Sequence, residues 1–294
     1  MKLVKKSCKA FTLIEMLIVI GILAILTGVM VRMFGTSTES ARAAQCMTNM
    51  RNLAVAVQGY AMANSEGYYP PAGSFDYMDT SSGGPMWAER KGWISWRSEY
   101  FHTGSSKTRL RGTPITFDQG SKGDENTENR FAVTNGALWS LVRDFKSYVC
   151  PAHQKACQEA DSQKTIMWSY VMNRRFGYYR EASSTWQGMA MGGFDSPDRV
   201  LLFAELPAFD YKQQAKVTEG SGEIGDPTLN YANETIGFNH KVGSRYVGHV
   251  AFADGHVSKL FYPEGGGLSL RDITQKLCEG KELIFQNGQY KEAE

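Results

Sequence analysis

The sequence predicts an α+β protein, in which one long N-terminal helix packs on an antiparallel β-sheet head. The stretch 11–31 is apolar apart from a single acid, and 32–64 continues it with apolar or small residues at helical spacing. Short β-like runs bounded by turn residues follow in the second half of the 294-residue chain. Packing the sheet on the upper part of the helix buries the apolar stripe of that helix, so this arrangement is the simplest one.

The apolar stretch indicates a membrane span. As a helix, its roughly 21 residues reach ~31 Å, which is enough to cross a bilayer core. A secretory signal peptide would have a shorter apolar region that ends at a small-residue cleavage site. The ten preceding residues hold four lysines and no acid, and basic flanks stay in the cytoplasm. We therefore expect a cytoplasmic leader at 1–10, a transmembrane and assembly helix at 11–31, its amphipathic continuation at 32–64 and an exported α+β head at 65–294.

Glu15 is the only charge inside this span. An ionisable group there costs roughly 2.5 to 3.5 kcal/mol and needs a partner that neutralises it. Cleavage after Ala10 would leave a positively charged amine on Phe11, and a neighbouring subunit's amine could supply the opposite charge.

The residues KAFTLIEMLIVI resemble the class III signal of type IV pilins and type II secretion pseudopilins. The resemblance implies that a prepilin peptidase cuts between Ala10 and Phe11 and methylates the new amine of Phe11. It also implies that Glu15 docks on a neighbouring subunit during assembly. The residue before the cut is usually Gly in that family, whereas this chain has Ala10.

Cysteine usage agrees with an exported head. Once the leader is removed, an even number of cysteines is left, which permits disulfides with three connectivities. The four are Cys46, Cys150, Cys157 and Cys278. Spacing favours a disulfide between Cys150 and Cys157, which bracket PAHQKA. The alternative is a metal site formed by Cys150, His153 and Cys157, which lacks a fourth ligand.

Short motifs in the head resemble prepilin-like proteins with large heads. Those proteins carry a C-terminal H-x9-D-G signature, whereas thirteen residues separate His240 from Asp254-Gly255 in this chain. Three further motifs are similar to proteins of this broad class: Cys46-x-x-Asn49 with the following Leu53, Cys150-Pro151, and Ser169-Tyr170 with Asn173.

A group of C-terminal residues could converge on a divalent metal. Imidazoles suit transition metals such as Zn²⁺ and carboxylates suit Ca²⁺, so either ion is possible and no motif requires a cofactor. The candidate ligands are His240, His249, Asp254 and His256. The alternative is that Asp254 and Gly255 build a hairpin turn while His240 hydrogen-bonds the hairpin backbone.

Tryptophans are concentrated in the loop-like stretch 72–130. Trp87, Trp93 and Trp96 either form an aromatic platform for a glycan or partner, or pack as a small core under a long loop. The sequence leaves both interpretations open.

The net charge and the absence of catalytic motifs argue against nucleic-acid binding and against an enzymatic function. The leader holds four of 32 basic residues, so 28 remain against 30 acids, and this near −2 balance gives no electrostatic footprint for nucleic acid. The sequence has no nucleophile elbow, phosphate loop or zinc-protease motif, so we do not expect an enzyme.

The resemblance implies a structural subunit of a type II secretion pseudopilus or a type IV pilus-like filament. Its partners would be other pilin-like subunits, the prepilin peptidase and an inner-membrane assembly platform. The chain would first lie in the inner membrane as a single-pass protein, with its N-terminus in the cytoplasm and its head in the periplasm. It would then be extracted into a periplasmic or surface filament. The alternative function is a membrane-tethered or filament-displayed polysaccharide-binding module.

Overall fold

The computed structural model describes most of the chain, with gaps. The described residues are 12–65, 67–72, 74–75, 92–96, 133–134, 136–160, 166, 168–180, 185–210, 215–216, 228–229 and 235–293. The chain divides into two compact units, Met1–Ala41 and Arg42–Glu294.

Helix α1 runs from Leu13–Ala63. It begins with a reciprocal cap, in which the backbone N–H and hydroxyl of Thr12 donate to the Glu15 carboxylate at 2.8 and 2.7 Å. The backbone N–H of Glu15 donates back to the Thr12 hydroxyl at 3.3 Å. The helix ends just before Gly67, which has a φ of 68°, and the two prolines that follow cannot continue it. This end agrees with the one the sequence predicts.

The described part of the first unit exposes its apolar side chains. Between Leu13 and Leu26, the large apolar side chains are exposed by 47% at Val19 to 80% at Leu13. None of the helices, as far as their residues are described, is both long enough and apolar enough for a membrane crossing. The predicted span 11–31 includes Phe11 and the side chains of 29–31, which lie outside the described residues.

The second unit contains the remaining elements. Its further helices are α2 Trp139–Val142, α3 Pro151–Ala160 and α4 Leu270–Glu279, with 3-10 turns at Phe145–Tyr148 and Arg174–Phe176. Its strands are β1 Ser74–Phe75, β2 Ser95–Trp96, β3 Tyr170–Asn173, β4 Gly177–Arg180, β5 Thr185–Gly188, β6 Leu201–Glu205, β7 Phe209–Asp210, β8 Ala215–Lys216, β9 Thr228–Leu229, β10 His240–Val242, β11 Arg245–Phe252, β12 Val257–Phe261, β13 Leu283–Gln286 and β14 Gln289–Glu292.

A mainly antiparallel sheet of six strands forms the centre of this unit. The order is β10-β11-β6-β3-β9, and β12 pairs with β11. All these pairs are antiparallel except β3 with β9. β10 and β6 follow each other along one edge of β11, because β10 pairs with residues 245–247 and β6 with residues 250–252. This arrangement brings the end of β6 beside the start of β10.

The core of the second unit lies between α1 and this sheet. Five positions of the apolar stripe that the sequence predicts on α1 are buried in one cluster with the sheet, namely Met50, Leu53, Ala54, Val57 and Ala61, whereas Ala44 of that stripe is exposed. From α1 the cluster takes Cys46, Met50, Leu53, Ala54, Ala56, Val57 and Ala61, and from the sheet it takes residues such as Phe203 and Val250. The predicted α+β fold, with an N-terminal helix and an antiparallel sheet, is confirmed.

The sequence predicts strands correctly where β-branched and aromatic residues are followed by residues that favour a tight turn. The hairpin between β11 and β12 turns at Asp254-Gly255, where Gly255 has a φ of 93°. The β-like run 148–150 does not form a strand, because Asp144 caps the 3-10 turn Phe145–Tyr148 and Pro151 starts a helix. Proline has the φ of a first helical turn and needs no partner for its nitrogen there.

Candidate functional site

The predicted processing site falls largely outside the described residues. Ala10 and Phe11 are not described. Glu15 is described, and its exposed carboxylate is held by the Thr12 backbone and hydroxyl. Among the described residues, the hydrogen bonds of the Glu15 side chain are therefore local.

The second unit contains a fully buried cluster of thiol, carboxylate and imidazole groups. Every member has an exposed fraction of 0%. The members are Cys46 on α1, Cys150 just before α3, Glu205 at the end of β6, His240 at the start of β10, and His249 in β11. Burying so many ionisable groups together is costly unless they compensate one another, so the cluster needs a specific explanation.

The Glu205 carboxylate lies at the centre of the cluster. Its Oε1 atom is 2.7 Å from Nδ1 of His249, 3.0 Å from Sγ of Cys46 and 3.2 Å from Nε2 of His240. The backbone N–H of His249 donates to the same oxygen at 3.1 Å. Sγ of Cys150 lies 3.4 Å from His240 Nε2 and 4.0 Å from Glu205 Oε2.

Pairing within the sheet positions three of these groups. Ala204 is opposite Val250 in the β6–β11 ladder, so Glu205 and His249 are adjacent across it. His240 is opposite Val247 at the end of β10, which brings its ring to the same place. Asn239 Nδ2 donates to Glu205 Oε2 at 2.9 Å and so orients the carboxylate.

The two cysteines are positioned by α1 and by the turn before α3. Asn49 lies one turn after Cys46, and its Nδ2 donates to the carbonyls of Lys146 and Val149, each at 2.9 Å. This contact places Cys150 beside Cys46. The hydroxyl of Tyr170 donates to Cys46 Sγ at 3.5 Å from the other side.

The neighbours of each group decide its protonation. Burial would raise the pKa of the Glu205 carboxyl, but the two histidines outweigh burial and hold that pKa well below its usual range. Burial would lower the pKa of His240, yet Glu205 outweighs it and raises the pKa to about 10. Burial raises the pKa of the Cys46 thiol well above its usual value. For Cys150, burial opposes ionisation, but hydrogen bonding to Cys46 and the nearby His240 lower its pKa to about 7. Glu205 is therefore an anion at neutral pH.

Four of these side chains have the arrangement of metal ligands. One donor atom from each of Cys46, Glu205, His240 and His249 lies within 4.8 Å of the others. Two of the metal ligands predicted from the sequence, His240 and His249, are in this group.

The other two predicted metal ligands lie elsewhere. Asp254 and His256 contact each other in the turn between β11 and β12, with Oδ1 2.6 Å from Nδ1. The Asp254 carboxylate also accepts the His256 backbone N–H at 3.0 Å. Asp254 therefore has the turn-building role of the alternative interpretation. The other part of that interpretation is not observed, because His240 contacts Glu205 and Cys150 rather than the hairpin backbone. The H-x9-D-G resemblance is not confirmed.

Sequence reasoning did not include Cys46 and Glu205 among the ligands. Glu205 ends the apolar run LLFAE, and an acid in a strand that is otherwise buried is the signal that could have found it. Cys46 lies in the core, and its thiol faces the carboxylate.

The predicted disulfide between Cys150 and Cys157 is not formed, and no described cysteine is in a disulfide. Cys150 immediately precedes helix α3 and Cys157 lies two turns along it. That separation is about 10 Å at 1.5 Å of rise per residue, beyond the ~7 Å between Cα atoms that a disulfide can bridge. The alternative site of Cys150, His153 and Cys157 is not among the ligand groups found in the described residues.

Trp93 belongs to the core and has an exposed fraction of 0%. Its ring stacks on Tyr148 with centroids 6.0 Å apart and meets Phe203 edge-on at 4.9 Å. It therefore cannot contact a glycan in this fold. Trp87 and the side chain of Trp96 lie outside the described residues.

Comparison with known proteins identifies the class of the N-terminal segment. Residues 5–31 match the family model described as the prokaryotic N-terminal methylation motif. The chain thus carries a type IV prepilin-like signal, as its sequence indicated. No curated protein and no solved structure matches this chain.

Proposed function

We propose that this chain is a structural subunit of a type II secretion pseudopilus or a type IV pilus-like filament. The observation that carries the proposal is the methylation motif at 5–31, which provides the processing signal of such subunits. Prepilin peptidase cuts between Ala10 and Phe11 and methylates Phe11, and the helix that follows packs against those of neighbouring subunits.

The described surface of the first unit supports assembly through α1. Its apolar side chains from Leu13 to Leu26 are at least 47% exposed. A continuous apolar surface of this kind marks a contact with lipid or with other proteins. The subunit first lies in the inner membrane with its head in the periplasm. An assembly platform then extracts it into a filament, where neighbouring apolar helices replace the lipid.

A structural role is also supported by the burial of the groups that could do chemistry. Cys150, His240 and Glu205 have the residue types of a nucleophilic triad. In a triad, the acid holds the imidazole nitrogen remote from the nucleophile. Here Cys150 and Glu205 both face Nε2 of His240, and all three are fully buried, out of reach of a substrate.

Glu15 has two possible roles, which an experiment can separate. In the monomer it caps α1 through Thr12, and in the filament it would pair with a neighbour's Phe11 amine. Gln at this position can still form the capping box but carries no charge. Glu15→Gln therefore removes docking and keeps the cap, whereas Thr12→Ala weakens the cap and keeps the charge.

The two variants are compared in cells that contain the assembly machinery. Mass spectrometry of the N-terminus measures cleavage, and the sheared filament fraction measures incorporation. We expect both variants to be cleaved. Glu15→Gln should lose incorporation by at least about tenfold, because the neighbour's amine would then have no opposite charge among the apolar helices of the filament. Thr12→Ala should keep most incorporation. Normal incorporation of Glu15→Gln together with a loss in Thr12→Ala would contradict docking through charge. An uncut wild-type chain would contradict the filament role itself.

A further inference from the structure

The buried cluster is not explained as a network of hydrogen bonds alone. Four groups point at Oε1 of Glu205 within 3.2 Å: the Cys46 thiol, the two imidazoles, and the backbone N–H of His249. A carboxylate oxygen has about two lone pairs for hydrogen bonds, so four donors exceed its capacity. The imidazole nitrogens that face this oxygen are Nε2 of His240 and Nδ1 of His249. At least one of the four donors is therefore left without a full hydrogen bond, and a bound ion explains such a buried cluster of ligand types.

We propose that the cluster is a structural zinc site, with Cys46, Glu205, His240 and His249 as its four ligands. A zinc ion bound by one sulfur, one oxygen and two nitrogens is tetrahedral, with bonds of about 2.0–2.3 Å. The edges of such a tetrahedron are about 3.3–3.7 Å long. The four donor atoms lie within 4.8 Å of one another. The distances of 2.7, 3.0 and 3.2 Å from Glu205 Oε1 to the other three donors are shorter than these edges, so small outward shifts of the donors would make room for the ion.

The donor types select the metal. A thiolate and two imidazoles suit zinc and other late first-row metals, and they are poor ligands for Ca²⁺ and Mg²⁺. The charges balance as well: a Zn²⁺ ion with one thiolate, one carboxylate and two neutral imidazoles has a net charge of zero. A neutral centre is the form that a fully buried position tolerates best.

Further contacts hold the ligands in place, as is usual around protein-bound zinc. The hydroxyl of Tyr170 donates to the Cys46 sulfur. Asn239 Nδ2 and the backbone N–H of His249 donate to the two oxygens of Glu205. Cys150 lies next to the ligands through His240 and is the nearest additional donor.

The site would lock the part of α1 that belongs to the second unit onto the sheet of that unit. Its ligands come from α1, β6, β10 and β11, and 202 residues lie between Cys46 and His249 in the sequence. Binding therefore closes long loops, and it stabilises the folded state because the unfolded chain has no such site.

The rival chemistry is a disulfide between Cys46 and Cys150. The two thiols lie within hydrogen-bonding reach of each other, and an oxidising compartment would favour their oxidation. A disulfide removes the thiolate ligand, so it and the zinc site exclude each other.

The test uses the full-length protein, purified in detergent without chelators. Elemental analysis should find about one zinc ion per chain, as a mononuclear site requires. Replacement by Co²⁺ should give a thiolate-to-cobalt charge-transfer band and the strong visible absorption of tetrahedral cobalt. Cys46→Ser and His240→Gln should lose the ion on dialysis and should lose these spectra. Cys157→Ser, a change outside the cluster, should keep both.

Circular dichroism of each variant monitors folding, and metal removal from the wild type tests the site without any mutation. A chelator should lower the melting temperature of the wild type, and added Zn²⁺ should restore it. A wild-type chain with reduced thiols that binds neither Zn²⁺ nor Co²⁺ would overturn the proposal. So would a Cys46–Cys150 disulfide found by peptide mapping without reduction. The filament proposal would survive either result, because it does not rest on the cluster.

Discussion

Replacing Asn49 removes the contact by which α1 holds the turn before α3. Asn49 is 2% exposed, and its amide makes three hydrogen bonds. Nδ2 donates to the carbonyls of Lys146 and Val149, and Oδ1 accepts from Gln45 at 2.8 Å. In Asn49→Ala both carbonyls lose this donor. We therefore expect the free energy of unfolding of the second unit to fall.

The size of the loss follows from these contacts. Two hydrogen bonds contribute about 1 kcal/mol each, and a buried carbonyl without a partner costs about 1–3 kcal/mol. Asn49→Ala should therefore cost about 2–4 kcal/mol. Asn49→Asp keeps the shape but places a carboxylate against the oxygens of Lys146 and Val149, so it should cost more than Ala at pH 7. Protonation allows an acid to donate, so the Asp variant should recover part of the difference as the pH falls.

The assay is urea unfolding of the full-length chain in detergent, followed by near-ultraviolet circular dichroism. Trp93 stacks on Tyr148 in the same turn, so its signal reports on this region. The control is Thr48→Ala, an exposed change in the same helix that should shift stability by less than about 0.5 kcal/mol. A loss for Asn49→Ala no larger than that of the control would refute the reasoning. So would an Asp variant that is more stable than the Ala variant at pH 7.

Two further predictions concern the packing and the pH response of the second unit. In Gly248→Ala the new Cβ would lie 2.2 Å from the Gly237 carbonyl oxygen. Because the clash is with backbone, which moves less easily than a side chain, we expect the free energy of unfolding measured in urea to fall by about 3 kcal/mol or more. The control is Gly243→Ala, where the new Cβ has no described atom within 4 Å and only the φ of +63° is strained. It should lower the free energy of unfolding by about 1–2 kcal/mol. Equal decreases for the two variants would contradict the argument from the Gly248 contact. Burial lowers the pKa of His153 to about 4, below the ~6.5 of an unfolded chain. Between pH 6.5 and 4 the unfolded state therefore binds more protons at His153 than the folded state does. The free energy of unfolding should fall by ~3 kcal/mol over this range, and His153 should not affect it above pH 6.5. His153→Leu should remove that part of the acid sensitivity, and an unchanged dependence of the urea midpoint on pH would show that the buried imidazole is not its source.

The features that sequence reasoning predicted depend on residues close together in the chain. The apolar residues on α1 repeat every three or four positions, and the dipeptide Asp254-Gly255 predicts the turn between β11 and β12. The signal around Phe11 is one continuous stretch. A capping box at Ser269 and Asp272, which starts α4, is equally local and could have been found in the same way.

The features that it missed depend on distant residues. Local spacing suggested a bond between Cys150 and Cys157, but α3 separates them, and Cys150 faces His240 instead. His240 and His249 were expected to bind metal with the turn residues that follow them. Sheet pairing gives them Glu205 as their partner, which no spacing could indicate.

The sequence by itself determined that this protein begins with a prepilin-like signal and an amphipathic helix, because periodicity and charge act over a few neighbouring residues. Only the tertiary structure decided which ionisable groups meet in the core. Cys46 and His249 become neighbours through the packing of α1 on a sheet whose strand order does not follow the chain. Pairing across the sheet depends on burial of the whole apolar surface, so it is a property of the complete fold and of no single segment.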